Sequence, residues 1–128
     1  MLRNIIIALV SALSLWLLAG QAMAADARGI PDGATGFAGM VSGDVATVGA
    51  GEVMLKVTEV TKSWQHSKAA NPQSLVGQQI RVVAGKNKNI ARYIATLKAG
   101  DHIVADVKAD GDVLVWLELT AEQREKVK

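Results

Sequence analysis

From Asp101 to Leu119 the chain reads DHIVADVKADGDVLVWLEL: two arms of alternating apolar residues joined by a turn signal. No other stretch limits the fold as much. Ile103, Ala105 and Val107 share one face of the first arm, and Val113, Val115, Leu117 and Leu119 share one face of the second. A three-residue loop, Ala109-Asp110-Gly111 with Gly111 at positive φ, sets Val107 opposite Val113, Ala105 opposite Val115 and Ile103 opposite Leu117. The two apolar faces then coincide. A two-residue Asp110-Gly111 turn instead sets Asp106 opposite Val115 and Lys108 opposite Val113, mixing charge into the core face. The alternation therefore predicts the longer loop, with Val104 opposite Trp116, Asp106 opposite Leu114 and His102 opposite Glu118 on the outer face.

Residues 1–24 carry Arg3, an apolar run from Ile5 to Ala19 and the small-residue pattern Ala22-Met23-Ala24 before Ala25. That order is the one of a secretory signal peptide cleaved after Ala24, and it predicts a periplasmic or secreted protein. The alternative is an N-terminal anchor, since the run approaches the ~18 residues of a spanning helix. Cleavage removes Arg3 alone, so the formal charge falls from +2 to nearly neutral. With no cysteine, disulfides and thiolate chemistry are excluded, and stability must come from one packed core.

Residues 25–35 hold glycines, a proline and no apolar periodicity, which predicts a flexible leader. The domain proper is expected over residues 36–119. Phe37 to Val48 reads as a bent first strand broken by Gly39 and Gly43. Val53, Leu55 and Val57 alternate in a second strand, and the slip at Val60 predicts a bulge near Thr58-Glu59. Residues 65–77 form a long irregular loop, either functional or mobile. Ile80 and Val82 mark a third strand. Ile90, Tyr93, Ile94 and Leu97 form one stripe of a short helix that Asn89 caps. Thr120 to Gln123 matches a capping box for a short terminal helix within 120–128.

Strand, strand, strand, helix, strand, strand, with a long glycine-broken first strand, resembles the OB-fold, a five-stranded all-β Greek-key barrel. An SH3-like small barrel is the alternative, and it needs no helix between strands three and four. In OB-folds that hold oligonucleotides or oligosaccharides the loops joining strands one to two and four to five clamp the ligand. Both are short here. Phe37, Trp64, Tyr93 and Trp116 are the only aromatic residues after residue 24, too few for the stacking platforms of a single-strand binder, so nucleic acid is not an expected partner.

Four constellations are candidates for a site. Val104, Leu114 and Trp116, rimmed by His102 and Glu118, would make an apolar partner-binding patch if the outer hairpin face is uncovered. Trp64 and His66 open the long loop, where an indole can stack on a sugar or a cation or, alternatively, plug a barrel end. Arg81, Lys86, Lys88 and Arg92 surround a glycine turn leading into a helix N-terminus, a place for a small anion or an ordinary solvated turn. Met40, Met54, His66 and His102, with the tryptophans, resemble the donor set of periplasmic copper and silver chaperones, which are small OB-like barrels. Those chaperones cluster their methionines, whereas Met40 and Met54 fall on different strands.

Two histidines without a paired serine, cysteine or carboxylate motif form no catalytic constellation. The expected protein is thus a non-catalytic exported domain that needs no cofactor and binds an envelope protein or a small anionic ligand. The alternatives are a soft-metal chaperone and a structural subunit assembling by strand addition.

Overall fold

A computed structural model describes residues 29–128. The expected signal segment, its cleavage point and the first leader residues lie outside the described residues. Five strands follow in order: β1 (Ala38–Gly49), β2 (Glu52–Ser63), β3 (Gln79–Val83), β4 (His102–Asp110) and β5 (Val113–Glu118). Helix α1 (Lys88–Ala95) lies between β3 and β4, and α2 (Ala121–Glu125) follows β5. The strands close into a barrel in the order β1-β2-β3-β5-β4. All pairs are antiparallel except β3 and β5, which run parallel. This is the OB-like architecture, and the helix between β3 and β4 separates it from the SH3-like alternative.

Closing five short strands requires β1 to bend so that it can border both β2 and β4. Its register with β2 shifts at Met40/Val41, Ser42/Gly43 and Val45/Thr47, and each shift adds curvature and twist. Thr58 is the extra residue at the middle shift, where the slip in alternation predicts it. Both bulged threonines of β2 donate to β1 carbonyls, Thr58 Oγ1 to Ser42 O at 3.3 Å and Thr61 Oγ1 to Met40 O at 3.1 Å. These side chains stand in where the ladder is interrupted. Gly39 and Gly43 sit at the tightest crossings, where a Cβ would run into the carbonyl oxygens of Lys62 and Lys56.

The barrel interior is filled by Val41, Val45, Val53, Leu55, Val57, Ile80, Val82, Ala105, Val107, Leu114 and Trp116. Ile90, Tyr93 and Ile94 of α1 close the end where β3 passes into β4. Asn87, not Asn89, caps this helix: its Oδ1 accepts from Asn89 N at 3.0 Å and Ile90 N at 3.1 Å. Ala34, Phe37 and Leu75 close the opposite end. Ala34 belongs to a 3-10 turn, Asp32–Ala34, and Leu75 to another, Pro72–Leu75.

Residues 29–35 of the expected flexible leader are therefore ordered. Asn71 N donates to Gly33 O at 2.7 Å and Lys68 N to Gly36 O at 3.0 Å, so the leader and the long loop hold each other over the barrel mouth. Neither segment has a periodicity of its own. Their order comes from this mutual pairing and from burying Ala34 and Leu75 completely.

The hairpin is the main correction. Asp110 pairs with Val113, Ala109 with Leu114, Lys108 with Val115 and Val107 with Trp116. The connection is a two-residue Gly111-Asp112 turn with Gly111 at φ 59°, the glycine position a type II′ turn requires. All of β5 is thus rotated relative to the expectation: Leu114 and Trp116 point inward, and Val113, Val115 and Leu117 point outward. A bulge at Leu117, between the pairs Val107–Trp116 and Asp106–Glu118, then reverses the parity and returns Leu119 to the core at 5% exposure. The alternation treats Val113, Val115, Leu117 and Leu119 as one face. Core volume decides otherwise, because the indole of Trp116 fills the barrel and meets Tyr93 edge-on, with centroids 5.7 Å apart and planes at 84°.

β5 leaves β4 at Asp106, which strands the β4 edge from His102 to Ala105. Helix α2 covers it. The expected capping box is formed, with Thr120 Oγ1 accepting from Gln123 N and Gln123 Oε1 accepting from Thr120 N. The Gln123 amide then donates through Nε2 to Val104 O at 2.7 Å.

Candidate functional site

The first constellation does not survive folding. Leu114 is 0% exposed and Trp116 1%, and the indole N–H is engaged with Glu118 O at 3.2 Å. Neither side chain can reach a partner, for the reason given by the register: they are barrel core. Val104 is half-buried and His102 exposed on the outer face of β4. The Nδ1–H of His102 donates to Asp44 Oδ1 at 2.8 Å across the β1–β4 ladder, because a carboxylate offers only acceptors. The expected His102–Glu118 cross-strand pairing is not formed.

In place of the tryptophan patch, β5 presents Val113, Val115 and Leu117 outward. Val115 is flanked by Val83 of β3 and Lys108 of β4, so the aliphatic strip crosses the seam of the barrel. Leu117 is 43% exposed. Lys108, Asp110 and Arg81 are exposed charges on the neighbouring strands. The strip is thus apolar along its middle and of mixed charge at its rim.

Trp64 is half-buried at the end of β2, and its side chain crosses β1. Its Nε1 donates to Asp106 Oδ1 on β4 at 2.9 Å, while its backbone N donates to Ala38 O at 2.8 Å. The Lys62 ammonium lies 5.7 Å from its ring centroid, so the cation position over the indole is already filled from within the chain. Trp64 works as a strap across three strands, and His66 stands exposed beyond it. A Trp64→Phe substitution removes the N–H and leaves the Asp106 carboxylate without that donor. We expect a loss of about 1–2 kcal/mol in urea unfolding, and an unchanged midpoint would show that the strap contributes nothing.

The basic segment is not gathered into a cradle. Arg81 faces Glu52, Nε to Oε2 at 3.8 Å, with both side chains about half exposed, a pair of little energetic weight. Two of the helix N–H groups that an anion would use, those of Asn89 and Ile90, are occupied by the Asn87 side chain. Lys86, Lys88 and Arg92 are exposed around it. No hydrogen bond or ion pair among the described residues joins the four cations.

The soft-metal donors are likewise apart. Met40 pairs with Lys62 across the β1–β2 ladder, whereas Met54 lies on β2 opposite Thr47 and Arg81. The eight residue steps along β2 from Met54 to Lys62 correspond to about 25 Å. Both methionines are half-buried, and His102 is committed to Asp44.

One concave feature does include sequence-singled residues. A cleft of about 460 Å³ runs between α2 and the start of β4, with His102, Val104, Tyr93, Glu122, Gln123 and Lys126 among its walls. Tyr93 and Gln123 could be foreseen only as core stripe and helix cap. That they meet at one cleft depends on α2 folding back over β4, which no local pattern encodes. Comparison of the chain with protein-family models, curated proteins and solved structures found no match, so the likeness to the OB-fold rests on strand order and topology alone.

Proposed function

We propose that this chain is a non-catalytic, exported accessory domain that docks on a protein partner of the cell envelope through the outer face of β5. The observation that supports this reading is the aliphatic strip Val113, Val115 and Leu117. A barrel strand needs apolar residues on its inner face only, and Leu114 and Trp116 already supply them. Leu117 is exposed on the outer face and Val113 and Val115 are half-buried there, apolar surface that the inner face does not require. A central apolar strip with a rim of Lys108, Arg81 and Asp110 has the composition of a protein interface, in which desolvation supplies affinity and rim charges select the partner.

The test uses a photo-crosslinking residue in place of Leu117 and, in a second variant, in place of Lys56, which is exposed on β2. One dominant adduct from the 117 position, absent from the 56 position and abolished by Val115→Lys, is the expected result. Equal labelling at both positions, or none, overturns the reading. An adduct at twice the chain mass means that the strip joins two copies, and removes the envelope partner.

A further inference from the structure

The cleft beside α2 is separate from the β5 strip, and its walls carry groups with no other task. Tyr93 is 5% exposed, with its ring held against Trp116. Its hydroxyl has no hydrogen-bond partner among the described residues. Yet no buried side-chain nitrogen or oxygen among them lacks a partner. Among the described residues the hydroxyl is thus left to solvent, and the concavity that its residue lines is this cleft. A phenol more than nine-tenths buried at the wall of a cleft, its hydroxyl unpaired among the described residues, is a preplaced hydrogen-bonding group.

The rim adds a charge pair. Glu122 of α2 and Lys126, the residue that caps the C-terminus of α2, stand four residues apart, a spacing that puts their Cβ atoms about 5–6 Å apart on one face. Both line the cleft. Neither takes part in an ion pair among the described residues; the charged contacts of this region are Arg124 with Glu118 and Lys128 with Glu125. The wall between them does not move freely, because Gln123 is bonded at both ends, to Thr120 and to Val104. On the far side, His102 has Nδ1–H committed to Asp44, which makes Nε2 an acceptor in the neutral ring. Val104 and Ala121 supply apolar surface.

The geometry points to a binding site for a small zwitterion, a free α-amino acid with an apolar side chain. A lone anion would meet Glu122 and a lone cation would meet Lys126, whereas a molecule carrying both charges on neighbouring atoms satisfies both. Its carboxylate faces Lys126 and accepts from the Tyr93 hydroxyl. Its ammonium donates to Glu122 and to His102 Nε2. Its side chain lies on Val104 and Ala121. The volume is within the range of small-molecule sites, about 300–1,000 Å³, and holds a molecule of this size without requiring a change in the barrel.

The experiment is an NMR titration of the ¹⁵N-labelled protein with L-leucine, N-acetyl-L-leucine and L-leucinamide, the last two each lacking one charge. Saturable shifts at His102, Val104, Gln123 and Lys126 with leucine are expected, with binding about tenfold weaker for either derivative. Tyr93→Phe keeps the ring that packs on Trp116 and should weaken leucine about fivefold to tenfold. Lys126→Gln, at an exposed position, should act similarly even if the Tyr93 variant is perturbed. No shift with leucine, equal affinity for all three compounds, or unchanged affinity in Lys126→Gln overturns the assignment.

Discussion

Trp116→Ala is expected to lower the unfolding free energy by about 3–5 kcal/mol, the range for truncating a fully buried aromatic residue. Three effects act together. The indole is 1% exposed and is among the largest fully buried side chains of the barrel, so its loss removes transfer energy and leaves a cavity. Tyr93 loses the ring it packs against at 84°, which loosens α1 at that end of the barrel. The Glu118 carbonyl loses a donor just where β5 bulges, so the parity switch that buries Leu119 is weakened. Measured as a urea midpoint, the shift should be a large share of the roughly 5–15 kcal/mol that holds a domain of this size. A loss below about 1 kcal/mol would mean that the tryptophan is a surface residue, and would restore the exposed patch that the alternation suggests.

Gly43→Ala should be nearly as damaging although it adds a single methyl group. Its Cβ would collide with the carbonyl oxygen of Lys56 and approach Leu55 Cγ at 3.0 Å. The obstacle is ladder backbone, not the end of a flexible side chain, so β1 and β2 must separate. Overpacking of this kind costs about 1–3 kcal/mol and occasionally more. We expect the upper end, because Gly43 also pairs with Ile103 on β4, and moving away from one neighbour presses on the other. Gly49→Ala is the control. There the nearest atoms belong to the Glu52 side chain at 3.3 Å, which can rotate away, and the urea midpoint should hardly change.

Gly43 also illustrates what was legible in the sequence. A glycine inside a strand pattern signals bulge or close approach from composition alone, and here it marks both. The slip at Val60 revealed the bulge at Thr58, and Thr120 with Gln123 revealed the terminal cap, since each depends on residues a few positions apart. β5 was not legible in the same way. Its alternation was real, but its assignment to the inner face depended on Trp116 meeting Tyr93, 23 residues earlier, and on a bulge that inverts parity at Leu117. The leader escaped notice for a similar reason, because its order is supplied by Asn71 and Lys68 in a distant loop. Of the candidate site residues, His102 and Val104 do line a cleft. The groups that give that cleft its chemistry, Tyr93, Glu122 and Lys126, are ordinary residues of two short helices until the fold brings them together.

The circuit of strands is unevenly sealed. β1 and β4 are paired from Ala38–Lys108 to Asp44–His102, whereas β3 and β5 meet only at Val82–Leu114 and Val83–Val115. Cooperative opening starts where the fewest ladder bonds must break together. The barrel is therefore expected to open first like a clasp, along the β3–β5 line, with the β1–β4 side as its hinge. Val83 and Val115 sit on the outer lips of that clasp. A partner seated on the aliphatic strip would bridge both lips, so docking and closure would be thermodynamically linked, each making the other more favourable.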